Sequence, residues 1–144
     1  MDQIILSQLP KMDERTFLKK VFLLHEEFQR PFGQIKVERK SRHLSDLEKL
    51  INTKFAAAAL GNKDLYQTIV EHRRTLTPIR GIDYANHAPV SINPIPPDAI
   101  IAAWEKDYVT MQQSMLYNPS LSFAQLIERI QELKSRINNL STNP

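Results

Sequence analysis

Apolar residues recur at helical spacing along most of this 144-residue chain. Phe17, Val21, Leu24 and Phe28 stand four, three and four positions apart, and Leu18 widens their stripe. The pattern predicts a helix from Asp13–Glu14 to about Arg30, stopped by Pro31. Acids at its start and Arg30 at its end suit the helix dipole. Leu44, Leu47, Ile51 and Phe55 trace a second helix, continued by Ala56–Ala59 and closed by Gly61. Asn62 is placed to cap a third, which carries Leu65, Ile69, His72 and Leu76 on one face before Pro78.

Residues 78–97 break the helical pattern with five prolines and Gly81. They keep Ile79, Ile82, Tyr84, Val90, Ile92 and Ile95, too apolar a set for a free linker, and read as an ordered loop laid across the helices. Two longer helices follow. Pro97 and Asp98 start the first, with Ile101, Trp104, Tyr108, Met111 and Met115 alternating by three and four until Asn118–Pro119. Ser122 with Gln125 makes a capping-box pattern for the second. Its seam is Phe123, Leu126, Ile130, Leu133, Ile137 and Leu140. Heptad-like spacing on both sides of a short turn predicts a long antiparallel helical hairpin. Ile4–Leu9, stopped by Pro10, reads as a short strand without a partner, and residues 141–144 as a frayed tail. The fold class is mostly α: about five helices, the terminal hairpin and a short N-terminal strand, in one helical domain over residues 1–144.

Composition narrows the chemistry. There are three glycines in 144 residues, against a usual share of about 7%. None sits in a GxGxxG or GxxxxGK pattern, so phosphate-cradling glycine loops are excluded. Zero cysteines exclude zinc ribbons, Fe–S clusters and thiol catalysis, and suit a reducing cytoplasm. No signal-peptide pattern or 18-residue apolar run is present, so a membrane partner is not expected. The net charge of +3 is too small to establish nucleic-acid binding by itself. Its distribution is uneven: Arg30, Lys36, Arg39, Lys40 and Arg42 face one acid, Glu38, and His43 follows. That stretch reads either as a phosphate-facing surface or as a solvated loop.

Seven aspartates form no D-x-D pair, and the four histidines lack H-x-x-x-H spacing. No metal site is therefore assigned. The densest polar run is Arg39–Lys40–Ser41–Arg42–His43–Leu44–Ser45–Asp46, where basic residues lead into a helix start. It could set the Asp46 carboxylate beside a phosphate-binding surface. Equally, Ser41 or Ser45 is an N-cap and Asp46 a favourable charge in the first turn. Lys20 lies at the margin of the Phe17/Val21/Leu24 stripe, with its stem on apolar surface or as an ordinary exposed lysine. His72, Arg73, Arg74 and Arg80 form a second basic cluster, again either anion-binding or solvated.

The stretches RTFLKKVFLLHEEFQRP, SRHLSDLEKL, YQTIVEHRRTLTPIRGIDYANHAP, IPPDAIIAAWEKDYVTMQQSM and SLSFAQLIERIQELKSRIN, taken in order, resemble the C-terminal portion of AbiEii/AbiGii-type nucleotidyltransferase toxins over about residues 10–140. That family belongs to the DNA-polymerase-β-like nucleotidyltransferases and acts in bacterial toxin–antitoxin and phage-defence (abortive infection) systems. The resemblance puts the family's nucleotide-site lysine, in R-T-F-x-x-K, on Lys20. Its carboxylate, in R-H-x-x-D-L, falls on Asp46, behind Arg42 and His43. A lysine there neutralises phosphates, and a carboxylate positions a metal or helps deprotonate the acceptor. Arg39, Arg42, His43, Arg73 and Arg80 are the accompanying candidates for phosphate contact.

The family's G-G/S turn and D-x-D metal motif do not occur in these 144 residues. With the unpaired strand at Ile4–Leu9, this leads us to expect the helical half of a nucleotidyltransferase, separated by natural truncation or gene splitting. Such a half would hold no cofactor and be inactive alone, with Mg²⁺ and a nucleoside triphosphate needed only by a complete enzyme. The partners implied are an N-terminal catalytic half, a cognate antitoxin, an RNA such as tRNA, or a second copy of the chain. The alternatives are a non-catalytic helical interaction module and a weak RNA-binding module.

Overall fold

The computed structural model describes residues 14–76, 78, 82–114 and 121–140. The Ile4–Leu9 segment, Arg80, Met115, the 115–120 connection and the 141–144 tail lie outside the described residues. Within them the chain is helical, with six α-helices and no strand. They are α1 (Glu14–Phe28), α2 (Arg42–Ile51), α3 (Lys54–Leu60), α4 (Lys63–Leu76), α5 (Asp98–Ser114) and α6 (Phe123–Asn138). Short 3₁₀ turns occupy Phe32–Gln34, Tyr84–His87 and Pro89–Ser91. No helix among the described residues is long and apolar enough to cross a membrane.

α1 is the centre of the core, flanked by α2, α3 and α4. Its expected stripe is buried, and so are Phe22, His25 and Glu26, because neighbours cover most of its circumference. Removing one of its fully buried side chains, such as Leu18, would cost about 2–5 kcal/mol. Lys20 sits where that cover ends, with a quarter of its side chain exposed.

One continuous helix was expected from Leu44 to Gly61, and the structure divides it at Asn52–Thr53. Thr53 takes an extended conformation (φ −84°, ψ 160°), and its hydroxyl oxygen accepts from Ala56 N at 3.3 Å while its O–H donates to Leu50 O at 2.7 Å. The side chain thus ends α2 and caps α3, the competition with helical hydrogen bonds that favours threonine at such positions. Of the face expected for α4, Ile69 is buried and Leu65 packs partly buried against the core, but its C-terminal part is not covered. Tyr66 and Ile69 are buried, whereas His72 is exposed and Leu76 is 67% exposed. The Tyr66 ring meets Phe22 edge-on at 5.0 Å, and its hydroxyl donates to His87 O at 2.5 Å, which ties α4 to α1 and the Tyr84–His87 turn.

The 82–97 segment lies across the helices as expected, burying His87 and Ile92 completely. In α6 the Ser122/Gln125 capping box forms, and Phe123, Leu126, Ile130, Leu133 and Ile137 are all buried. That seam rests chiefly on α2 and the Pro89–Ser91 turn rather than on α5. α5 and α6 touch through Tyr108 and Phe123, with ring centroids 5.8 Å apart, and the Tyr108 hydroxyl donates to Leu121 O at 2.7 Å. Trp104 of α5 instead meets Phe28 of α1 at 4.8 Å. The two terminal helices thus meet at Tyr108 and Phe123, while α5 also packs on α1 and α6 on α2.

Candidate functional site

α1 and α2 pack so that Lys20 and Asp46, far apart in sequence, converge. Lys20 Nζ lies 3.2 Å from Asp46 Oδ2 and 3.5 Å from His43 Nδ1. The placement follows from helix geometry. Leu44, Leu47, Leu50 and Ile51 are buried on one face of α2, which turns Arg42, Asp46 and Lys49 to the other. Burial, followed by the nearby Lys20 and Lys40 charges, pushes His43 below its ordinary 6.5, so the ring is neutral at pH 7. An ammonium can only donate, so a contact with Nδ1 leaves the ring proton on Nε2.

Beside this cluster opens a cleft of about 570 Å³. Arg39 and α2 (Arg42, Ser45, Asp46, Lys49) line one part of it, and Asp107, Thr110 and Met111 of α5 the other. Arg39 and Arg42 are exposed, so their cationic groups face solvent at the cleft. Asp107 fastens α5 to the turn before α2. Its Oδ1 accepts from Arg39 N at 2.8 Å, and its Oδ2 from Ser41 N at 3.1 Å and Ser41 Oγ at 2.5 Å. Burial opposes ionisation of Asp107, but the Ser41 hydroxyl and the two backbone N–H groups outweigh it and hold the carboxyl below its ordinary 3.8. Ser41 is the N-cap of α2 by position, yet its side chain makes no capping bond because it serves Asp107.

Arg73 goes elsewhere. Its guanidinium makes a two-pronged bridge to buried Glu26, Nε to Oε2 at 2.7 Å and Nη2 to Oε1 at 2.5 Å. His87 Nε2 completes the Glu26 shell at 2.7 Å. Glu26 stays ionised: burial raises it, and Arg73 and His87 together bring it below the ordinary value. Arg73 is therefore engaged by a carboxylate away from the cleft that Arg39 and Arg42 line. Buried His25 stands edge-on to His87 at 4.8 Å and accepts from Asn93 N at 2.9 Å. Burial, then His87, lowers His25 from 6.5 to about 4.

Sequence reasoning missed Asp107, Glu26, His25 and His87. A faint signal existed for three of them: Glu26 and His25 interrupt the apolar run between Leu24 and Phe28, and Asp107 abuts the buried Tyr108. His87 carried none, since Glu26, which its ring meets, comes from another element.

Magnesium takes near-octahedral oxygen ligands, commonly one or two carboxylates with substrate phosphates. The cleft offers Asp46, paired with Lys20, and Asp107, both of whose oxygens already accept hydrogen bonds. Among the described residues no three His, Asp or Glu side chains converge on a metal position. These residues therefore do not fit a magnesium centre by themselves. The cationic side of the cleft does suit phosphate oxygens, through Arg39, Arg42, Lys49 and neighbouring Lys20.

No curated protein and no solved structure matches the chain. The family model described as "Nucleotidyl transferase AbiEii toxin, Type IV TA system" matches residues 14–129, a span that takes in α1 to α5, the Lys20–Asp46 pair and the cleft. The chain belongs to the AbiEii nucleotidyl transferase toxin family.

Proposed function

We propose that Lys20, His43, Asp46, Arg39 and Arg42 form the phosphate-handling side of a nucleotidyl transfer site, and that these 144 residues do not transfer nucleotides by themselves. One observation carries the reading: Lys20 and Asp46, on different helices, meet at 3.2 Å beside an arginine-lined cleft. Lys20 and the arginines neutralise phosphate oxygens, and Asp46 orients Lys20 and accepts from a hydroxyl at the cleft. Neutral His43 adds an N–H donor from Nε2. The missing parts are metal-binding carboxylates, which the family's D-x-D motif supplies and this sequence does not contain. The implied partner is a catalytic segment bearing that motif, within the toxin component of a toxin–antitoxin pair.

Labelled nucleoside triphosphates, Mg²⁺ and RNA or protein acceptors test this directly. The chain alone should give no labelling, and a segment carrying G-S and D-x-D motifs should restore it. Strong labelling by the chain alone, abolished by Asp46→Ala, overturns the inactivity. Restored labelling that survives both Lys20→Ala and Asp46→Ala overturns the site. The exposed cations of the cleft also favour an RNA acceptor, whose binding should weaken steeply with salt. Affinity indifferent to salt removes that reading.

A further inference from the structure

The Asp107 contacts span 66 to 68 positions of sequence and end on the turn that carries Arg39 and leads into Arg42. Arg39 has φ of 62°, a left-handed conformation that a non-glycine residue holds only when its surroundings impose it. Lys40 N donates to Val37 O at 2.9 Å and His43 N to Lys40 O at 3.0 Å, so the turn is tight on both sides of the residues Asp107 grips. Ser41 is fully buried and has given up its capping bond to reach Asp107. An acid lining a cleft meant for anions is unfavourable on charge alone, and three donors absorb this one.

We propose that Asp107 is a positioning residue: it holds the 39–41 turn so that Arg39 and Arg42 present their guanidinium groups to a phosphate in the cleft. The inference rests on the phosphate-binding reading above. It makes an unusual demand, because simple charge removal and loss of positioning act in opposite directions. Deleting a carboxylate beside an anion site strengthens anion binding through Coulomb interaction. Deleting a clamp weakens it.

The probe is inorganic triphosphate, titrated calorimetrically into the full chain at low salt without divalent ions. Asp107→Asn keeps the side-chain shape but replaces an acceptor oxygen with a donor. It should bind triphosphate about tenfold more weakly than wild type despite losing a negative charge. In an Arg39→Ala/Arg42→Ala background the same replacement should no longer weaken binding, since both groups it positions are gone. The Arg39 and Ser41 amides should be protected from hydrogen exchange in wild type and exchange faster in Asp107→Asn. Binding that is unchanged or tighter in Asp107→Asn overturns the positioning role and leaves the cleft reading intact. A wild-type chain that does not bind triphosphate overturns both. Should Asp107→Asn fail to fold, Ser41→Ala removes one of the three bonds and should weaken binding about threefold; no weakening there overturns the proposal.

Discussion

Replacing Glu26 with glutamine keeps the side chain's shape and removes its charge at a site where only 1% of the side chain is exposed. Both carboxylate oxygens are committed, Oε1 to Arg73 and Oε2 to Arg73 and His87. A glutamine turns an NH₂ toward at least one of these donors and leaves the Arg73 guanidinium without its counter-charge. Removing one partner of a buried pair costs about 3–5 kcal/mol. Arg73 keeps 17% of its side chain in water, which places the expected loss near the lower end, about 3 kcal/mol. A domain of this size is stable by about 5–15 kcal/mol, so the loss is a large share of the total. Urea unfolding should show the midpoint falling by about 1–2 M with an unchanged slope. The melting temperature should drop by about 6–12 °C. The double variant Glu26→Met/Arg73→Met, which removes both charges, should be more stable than Glu26→Gln alone. A loss in Glu26→Gln below about 1 kcal/mol would refute the claim that this bridge is a desolvated, charge-dependent part of the core.

Acid should weaken the fold in two stages. Folded His25 titrates near 4 rather than 6.5, so between those values the unfolded chain binds a proton that the folded chain does not. That removes about 3 kcal/mol as pH falls through this window. Glu26, held below its ordinary 4.5, adds a further loss as pH falls through its lower folded value. Urea midpoints measured from pH 7.5 to 4.5 should slope downward in wild type and less so in His25→Asn, and equal slopes would count against buried neutral His25. By contrast, Asp46→Asn should change stability by no more than about 1 kcal/mol, since its pair with Lys20 is partly exposed. A loss above 2 kcal/mol in thermal unfolding would make that pair structural. Gly61→Ala should stabilise the chain by about 0.4–1 kcal/mol, because Gly61 has φ −90° and an added Cβ meets only Ala57 O at 3.5 Å and Ala58 O at 3.7 Å. A lower melting temperature in Gly61→Ala would contradict that geometry.

Local periodicity was enough for several elements. The Phe17–Phe28 stripe, the Asn62 cap, the Ser122/Gln125 capping box and the α6 seam all depend on residues within a turn or two of one another, and each is present in the structure. Helical spacing likewise accounts for Asp46 facing away from buried Leu44 and Leu47 in α2. Local pattern misled where a single polar side chain outweighed it. Thr53 broke a continuous apolar period, and of the α4 face of Leu65, Ile69, His72 and Leu76 only the first two pack on the core, beside Tyr66, whose hydroxyl bonds His87 O.

The sequence by itself determined the helical class, most helix starts and stops, and the family, since these reside in nearby residues or in an ordered set of short motifs. Tertiary structure alone decided which charges meet. Lys20 finds Asp46, Asp107 finds the 39–41 turn, and Glu26 gathers Arg73 and His87 from other elements. Helical periodicity specifies the face a residue occupies, and only packing specifies what lies opposite that face. For this protein that distinction sorts its cations: Arg73 turns onto a buried acid, while Arg39 and Arg42 stand open at the cleft.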